Sequence, residues 1–257
     1  MQAPATLRRR SLLWVGLAVA GFLVVLLLRP PARVVVWFLP SQVHCEQIAG
    51  TLWQGRCGQA WVQRAALPEQ IKVQLSWQLL PARLLRGRLA AQINVSRGAS
   101  AVQAVVQRSL SALEVLSIRG SVLLEDQLLP GVPAGWHGTA SADDLRLNVQ
   151  GVALQSLEGR VLLRNVSSVV PTSVDYGNYS ITWPRAKGAA LQPARIVDEG
   201  GPLALQAQLL LEPSGGWQLQ GTVALRSAPS PVLAGQLQLL GPADAAGLRQ
   251  FSIAGRP

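Results

Sequence analysis

The chain has 257 residues, 49% of them apolar and 14% charged, with a formal net charge of +10. That balance excludes an intrinsically disordered polymer, because enough apolar surface is available to offset the entropy lost on folding, even with 17 prolines. The basic excess does not read as nucleic-acid binding: only Lys72 and Lys187 are lysines, and the arginines are scattered singly rather than gathered on a basic helix.

The first predicted element is an uncharged run of eighteen residues, Ser11 to Leu28, directly behind Arg8, Arg9 and Arg10. As a helix it would be roughly 27 Å long, close to the hydrocarbon thickness of a bilayer, with every backbone polar group satisfied internally. The competing reading is a cleaved signal peptide, since Ala18, Val19 and Ala20 spell an A-x-A site. Cleavage there would leave only about eight apolar residues before the site and would throw Phe22 to Leu28 onto a mature terminus exposed to water. A retained anchor is therefore expected. Arg8 to Arg10 outweigh Arg29 and Arg33, which places the short tail, residues 1–10, in the cytoplasm and the long C-terminal part outside. Residues 29–40 read as a linker and 41–257 as one exported domain. Setting the three cytoplasmic arginines aside leaves 20 basic and 13 acidic residues, a net charge of +7, which favours anionic lipid headgroups or acidic partners.

Next come Cys45 and Cys57, the two cysteines of the chain. In an oxidising compartment such a pair is expected to bridge. The rival is a metal site using His44, Cys45 and Cys57, but adjacent His and Cys side chains point apart in an extended segment, and structural zinc wants a fourth ligand.

Beyond residue 40 the dominant pattern alternates with period two, which places every second side chain on one face of a sheet. Ile71, Val73, Leu75, Trp77 and Leu79 alternate with Lys72, Gln74, Ser76 and Gln78. Pro81 to Arg86 reads as a single helical turn with proline in its first position, ended by Gly87. A strand follows over Leu89 to Val95. Val102, Val105, Val106, Ser109, Leu110 and Leu113 fall at helical spacing, with Ser100 able to cap, so a helix is expected there, although the valines also suit a strand. Weaker strands are expected over Ser121 to Glu125, Leu145 to Val149 and Val161 to Val166. Pro171 to Pro193 reads as a loop. Leu203 to Leu211 and Trp217 to Leu225, joined through Pro213 to Gly216, predict an antiparallel hairpin with Gln206, Gln208, Gln218 and Gln220 on the opposite face. Further strands are expected over Leu233 to Leu239 and Gln250 to Ala254. The fold class is mainly β: an N-terminal transmembrane helix, then an elongated, curved antiparallel sheet of eight to twelve strands, half-barrel or groove-like, with few helices.

The residues offer little chemistry. His44 abuts the cysteine pair, and His137 sits in a glycine-bracketed turn, Gly135 to Gly138. Glu125-Asp126, Asp143-Asp144 and Asp198-Glu199 are adjacent carboxylates, read as turn and strand-end residues because strand neighbours project to opposite faces. There is no phosphate loop, no dinucleotide fingerprint and no nucleophile elbow. No enzyme and no cofactor are expected. Six of the eight tryptophans, Trp53, Trp61, Trp77, Trp136, Trp183 and Trp217, fall in the β domain, where core packing is the default and a half-wet interface the alternative.

Four ordered elements carry a resemblance. Gly50-Thr51-Leu52-Trp53-Gln54-Gly55-Arg56 resembles the G-T-[VL]-W-x-G-[RK] element of protein N of the bacterial type II secretion system. Trp77 to Pro81 with Leu84, Leu85 and Gly87 looks like its W-x-L-x-P-x-x-L-x-x-G element. Gly216-Trp217-Gln218-Leu219-Gln220-Gly221 resembles its late G-W-x-L-x-G strand, and Leu239-Leu240-Gly241 with Asp244, Gly247 and Gly255 its C-terminal pattern. The cysteine pair departs from the commoner pattern; a bridge there would pin the first hairpin. The resemblance implies a bitopic inner-membrane accessory component with its bulk in the periplasm, working through contacts with other secretion-system subunits and without catalytic residues. More distantly the chain is similar to AsmA-like proteins, whose curved sheets form an apolar groove for lipid.

Overall fold

The computed structural model describes residues 29–38, 43–62, 71–84, 87–109, 112–126, 128, 132, 134–150, 153–169, 172–185, 192–212, 216–226 and 230–255, with 15, 18, 19 and 21. Those last four are helical and exposed. The rest of the apolar run, the basic tail, Lys187 and the turn Pro213 to Gly215 lie outside the described residues. No helix among the described residues is long and apolar enough to cross a membrane. Within the expected linker, Ala32–Phe38 forms a 3-10 helix.

Every strand among the described residues belongs to one antiparallel sheet. Its strands are β1 (Val43–Gly50), β2 (Gln54–Val62), β3 (Val73–Leu79), β4 (Leu89–Arg97), β5 (Ser100–Arg108), β6 (Leu113–Leu123) and β7 (Trp136–Gln150). β8 (Ala153–Ser168), β9 (Val174–Trp183), β10 (Ala194–Asp198), β11 (Leu203–Leu211), β12 (Trp217–Leu225) and β13 (Arg249–Gly255) complete it. Spatial order equals chain order throughout, so each strand pairs with its sequence neighbours and the sheet stays open at β1 and β13.

Register turns the period-two pattern into two unlike faces. One file of directly opposed residues crosses all thirteen strands: Ile48, Cys57, Leu75, Val95, Val102, Gly120, Ala142, Val161, Ile181, Ile196, Ala207, Gly221 and Phe251. Not one is polar. The other face carries Arg56, Ser76, Asn94, Gln103 and Arg119 in register on one half, and Ser180, Val197, Gln206, Thr222 and Gln250 on the other. Leu75, Trp77, Ile93 and Val102 on the apolar face are half-buried, whereas Gln54, Gln74, Asn94 and Gln103 on the polar face are exposed.

Among the described residues the core clusters lie over β7 to β12 of the apolar face. Two helices interrupt the strands, α1 (Pro81–Leu84) and α2 (Pro231–Gln238). Leu233 and Leu237 of α2 pack on Val174, Leu203 and Val223. A second cluster gathers Leu124, Ala140, Val166 and Tyr179, with Val132 and Trp136 against it. Over β3 to β6 no described element covers the apolar side chains other than Val122, which is buried opposite Ala140 of the second cluster.

Four expectations need correcting. The stretch expected as a helix from Val102 to Leu113 is β5 and the start of β6, because opposing Ala91, Ile93 and Val95 reward an extended chain that puts Val102, Ala104 and Val106 on one face. Ser100 does not cap a helix; it is buried, donates to Asp126 and accepts from the Leu123 amide at 2.8 Å. The strand expected over Leu233 to Leu239 is α2, begun by Ser230 accepting from the Leu233 amide with Pro231 in the first turn. The expected loop from Pro171 to Pro193 contains β9, and strands number thirteen, not eight to twelve. The hairpin of β11 and β12 forms over the expected residues, and α1 begins at Pro81 as expected.

Candidate interaction surface

The first hairpin is where the chain entering from the N-terminal segment is fastened to the sheet. Gly50 has φ +99°, a conformation that favours glycine, and a Cβ built there would meet the Gln54 carbonyl oxygen at 2.5 Å. The Thr51 hydroxyl accepts from the Gln54 amide at 3.2 Å, while the Thr51 amide donates to the Gln54 carbonyl at 2.8 Å, closing the turn. The Leu52 amide then donates to Pro30, and Pro31 bridges to Thr51, tying residues 30–31 to the hairpin tip.

Trp77 locks this turn from the next strand. Its Nε1 donates to the Leu52 carbonyl at 3.1 Å, and its ring lies over Gly55, where a Cβ would come within 2.3 Å of the indole. The Leu79 amide donates to the carbonyl of half-buried Trp53. Gly50, Thr51, Trp53, Gly55 and Trp77 therefore form one knot at the corner beside residues 30–31, and Pro81 starts α1, whose Arg83 donates to Gln107 at 2.7 Å. At the opposite corner the same device recurs: Trp217 lies over Gly255, and Gly221 lies where a Cβ would meet the backbone of Gln206 and Ala207.

Cys45 is bonded to Cys57 on this apolar face, and Cys57 is buried. Their thiols are therefore not available as metal ligands, and His44 stacks on Trp61 with ring centroids 5.5 Å apart. The bridge closes a loop of about a dozen residues, so replacing both cysteines by alanine is expected to lower stability by about 3 kcal/mol. A matched shift in urea midpoint, with an unchanged slope, checks it.

The remaining titratable residues lie at separate places, apart from one ion-paired group that joins Arg119, Asp144, Arg146, Glu158 and Arg185. His137 lies in β7 rather than in a turn, 3.9 Å from Glu125, because Gly138 at φ +137° lets the strand continue through a bulge. Asp198 pairs with Arg226 and accepts from the Leu205 amide at 3.1 Å at the end of β10. Asp143 and Asp144 are not at a strand end but at a bulge inside β7, where Asp144 adopts φ +54°. Burial, followed by the negative charge of Asp198 and Asp175, pushes the Tyr179 phenol up to about 12, and its hydroxyl donates to the Tyr176 carbonyl.

Asp144 is held below its ordinary value chiefly by the Ser117 hydroxyl, and also by Arg146 and Arg119, against an opposing effect of burial. A carboxyl whose folded pKa is depressed adds stability above its unfolded pKa and loses it as pH falls through the folded value. Ser117→Ala should therefore raise the Asp144 titration point, and Asp144→Asn should flatten the acid limb of the stability curve below about pH 4. Carbon-detected titration of Asp144 and urea midpoints across that range check both.

Two surfaces remain after this accounting, and both were visible in part from the alternation: the uncovered apolar face over β3 to β6 and the two sheet edges. The polar face carries a hollow of about 880 Å³ over β10 to β13, lined by Arg195, Gln206, Gln208, Gln220 and Gln250, which the sequence reading did not separate from a solvated face. The described strands form one open antiparallel meander sheet, pinned at its first hairpin by the Thr51–Gln54 turn and the bond from Leu52 to Pro30. The chain belongs to the family of the type II secretion system (T2SS), protein N, whose model matches residues 41–252. Neither the curated proteins nor the solved structures compared with it contain a match.

Proposed function

We propose that this chain is an inner-membrane-anchored accessory component of the type II secretion system, with its sheet in the periplasm, and that it assists export across the outer membrane through contacts with other secretion-system subunits rather than through catalysis. The family match over residues 41–252 carries the reading, since it spans the sheet from before β1 into β13. The apolar run behind three arginines supports the anchor and its orientation, and the Cys45–Cys57 bond suits an oxidising compartment. Contact through sheet edges fits a fold whose two outer strands, β1 and β13, each pair on one side only among the described residues. Photo-crosslinking side chains placed along both edges in secreting cells should capture other secretion subunits. Adducts no more frequent than from interior β4 positions would sink the contact reading.

A second reading rests on a specific observation, the thirteen-residue apolar file left uncovered over β3 to β6. A sheet with that face half-exposed and curled around it would cradle acyl chains, with the inner membrane as their source. Native mass spectrometry of the gently extracted chain should then show bound phospholipid. A clean apo mass contradicts this reading and leaves the first untouched.

A further inference from the structure

The two ends of the sheet are protected very differently. β1 carries Glu46, the left-handed residue Gln47 at φ +57°, which breaks the extended conformation of the strand, and the Pro31–Thr51 bridge beside its last residue. These are devices by which folded proteins keep an edge from pairing. β13 has neither a left-handed residue nor a bridge at its edge among the described residues. Its register with β12 is regular over all seven residues, Arg249 to Gly255, without bulge or proline, and Ile253 is 48% exposed on the apolar face. Its one charged residue, Arg249, is drawn back by donating Nε to the Gly241 carbonyl at 2.9 Å.

We propose that β13 pairs with β13 of a second copy of this chain, antiparallel about a two-fold axis at Ser252, so that two sheets become one. The inference rests on the reading that the protein works by edge contacts, and it names the edge and the occupant. Antiparallel self-pairing keeps each side chain on its own face only when the axis passes through a residue. An axis at Ser252 uses the whole strand, whereas axes at Phe251 or Ile253 strand two residues at one end.

The Ser252 register is also chemically matched. On the apolar face Phe251 opposes Ile253 of the second copy, twice, so the exposed Ile253 gains an aromatic neighbour. On the polar face Gln250 opposes Ala254. Arg249 opposes Gly255, so no like charges meet. Because Trp217 lies over Gly255, each Arg249 would arrive beside an indole that is 36% exposed, on the face where a cation can contact the ring. A two-fold axis normal to the sheet leaves both apolar faces on one side, extending the file without a break.

The test uses the full chain in membranes of secreting cells. Ser252→Cys should give, on oxidation, a species of twice the monomer mass on a non-reducing gel. Gln250→Cys alone should not, whereas Gln250→Cys co-expressed with Ala254→Cys should link the two. Ile253→Lys added to Ser252→Cys should abolish the linked species while leaving protease resistance unchanged. Monomer only from Ser252→Cys, or equal self-linking from Gln250→Cys, overturns the proposal. Linking of Ser252→Cys to a different protein overturns it too, but supports contact through this edge. Secretion is scored separately in a strain lacking the gene, so self-pairing and the secretion reading fail by different observations.

Discussion

Leu233→Ala is expected to lower stability by about 3 kcal/mol, with Leu237→Ala close behind. Both side chains are buried, and both belong to the short helix that roofs Val174, Leu203 and Val223. Removing either leaves a cavity at a place where the sheet cannot collapse, because β11 and β12 are held by nine consecutive opposed pairs. The topology also predicts where the damage appears. Each strand hydrogen-bonds only with its sequence neighbours, so opening at one end need not propagate along the ladder, much as in repeat proteins. Hydrogen exchange should therefore quicken over β9 to β13 and remain as in the parent over β3 to β6. Uniform acceleration along the chain would contradict this local coupling.

Gly221→Ala is expected to cost about 2 to 3 kcal/mol, at the upper end of ordinary overpacking. The added Cβ would lie 2.3 Å from the Gln206 carbonyl oxygen and 2.6 Å from the Cα of Ala207, backbone atoms that cannot swing aside. Relief requires β11 and β12 to separate, which weakens the ladder that also supports β13. Leu219→Ala on the same strand serves as the comparison, since it removes partly buried surface without forcing the strands apart. Circular dichroism melts of the two variants check the order: Gly221→Ala should melt lower. If it melts at the parent temperature, the close approach of these strands is wrong.

The sheet was legible wherever one face is apolar and the other polar without interruption. β11 and β12 show that best: alternate leucines and glutamines leave one register in which all apolar side chains share a face. The helix α2 was missed because Leu233, Leu237 and Leu239 also fit alternation, while the deciding signal, Ser230 before Pro231, is a cap rather than a period. The opposite error arose at β5, where the valines satisfy both periods and only pairing with Ile93 and Val95 decides between them. β9 was hidden because Gly177, Tyr176 and Asn178 resemble loop composition; its partners on β8 and β10, not its own residues, make it a strand.

The candidate surface was legible to a lesser degree. The motif residues Gly55, Trp77 and Gly221 stand out in the sequence, but their purpose is steric: each glycine admits an indole ring or a neighbouring backbone that a Cβ would exclude. The contrast between the guarded edge β1 and the unguarded edge β13 depends on the left-handed backbone of Gln47 and a bridge at Pro31, neither of which has a composition signal.

The account stands on this chain serving secretion from an exported position, and one measurement addresses that directly. In a strain lacking the gene, proteins normally released to the medium should accumulate in the periplasm, and expression of the full chain should restore release. Normal release from the deleted strain would contradict the account.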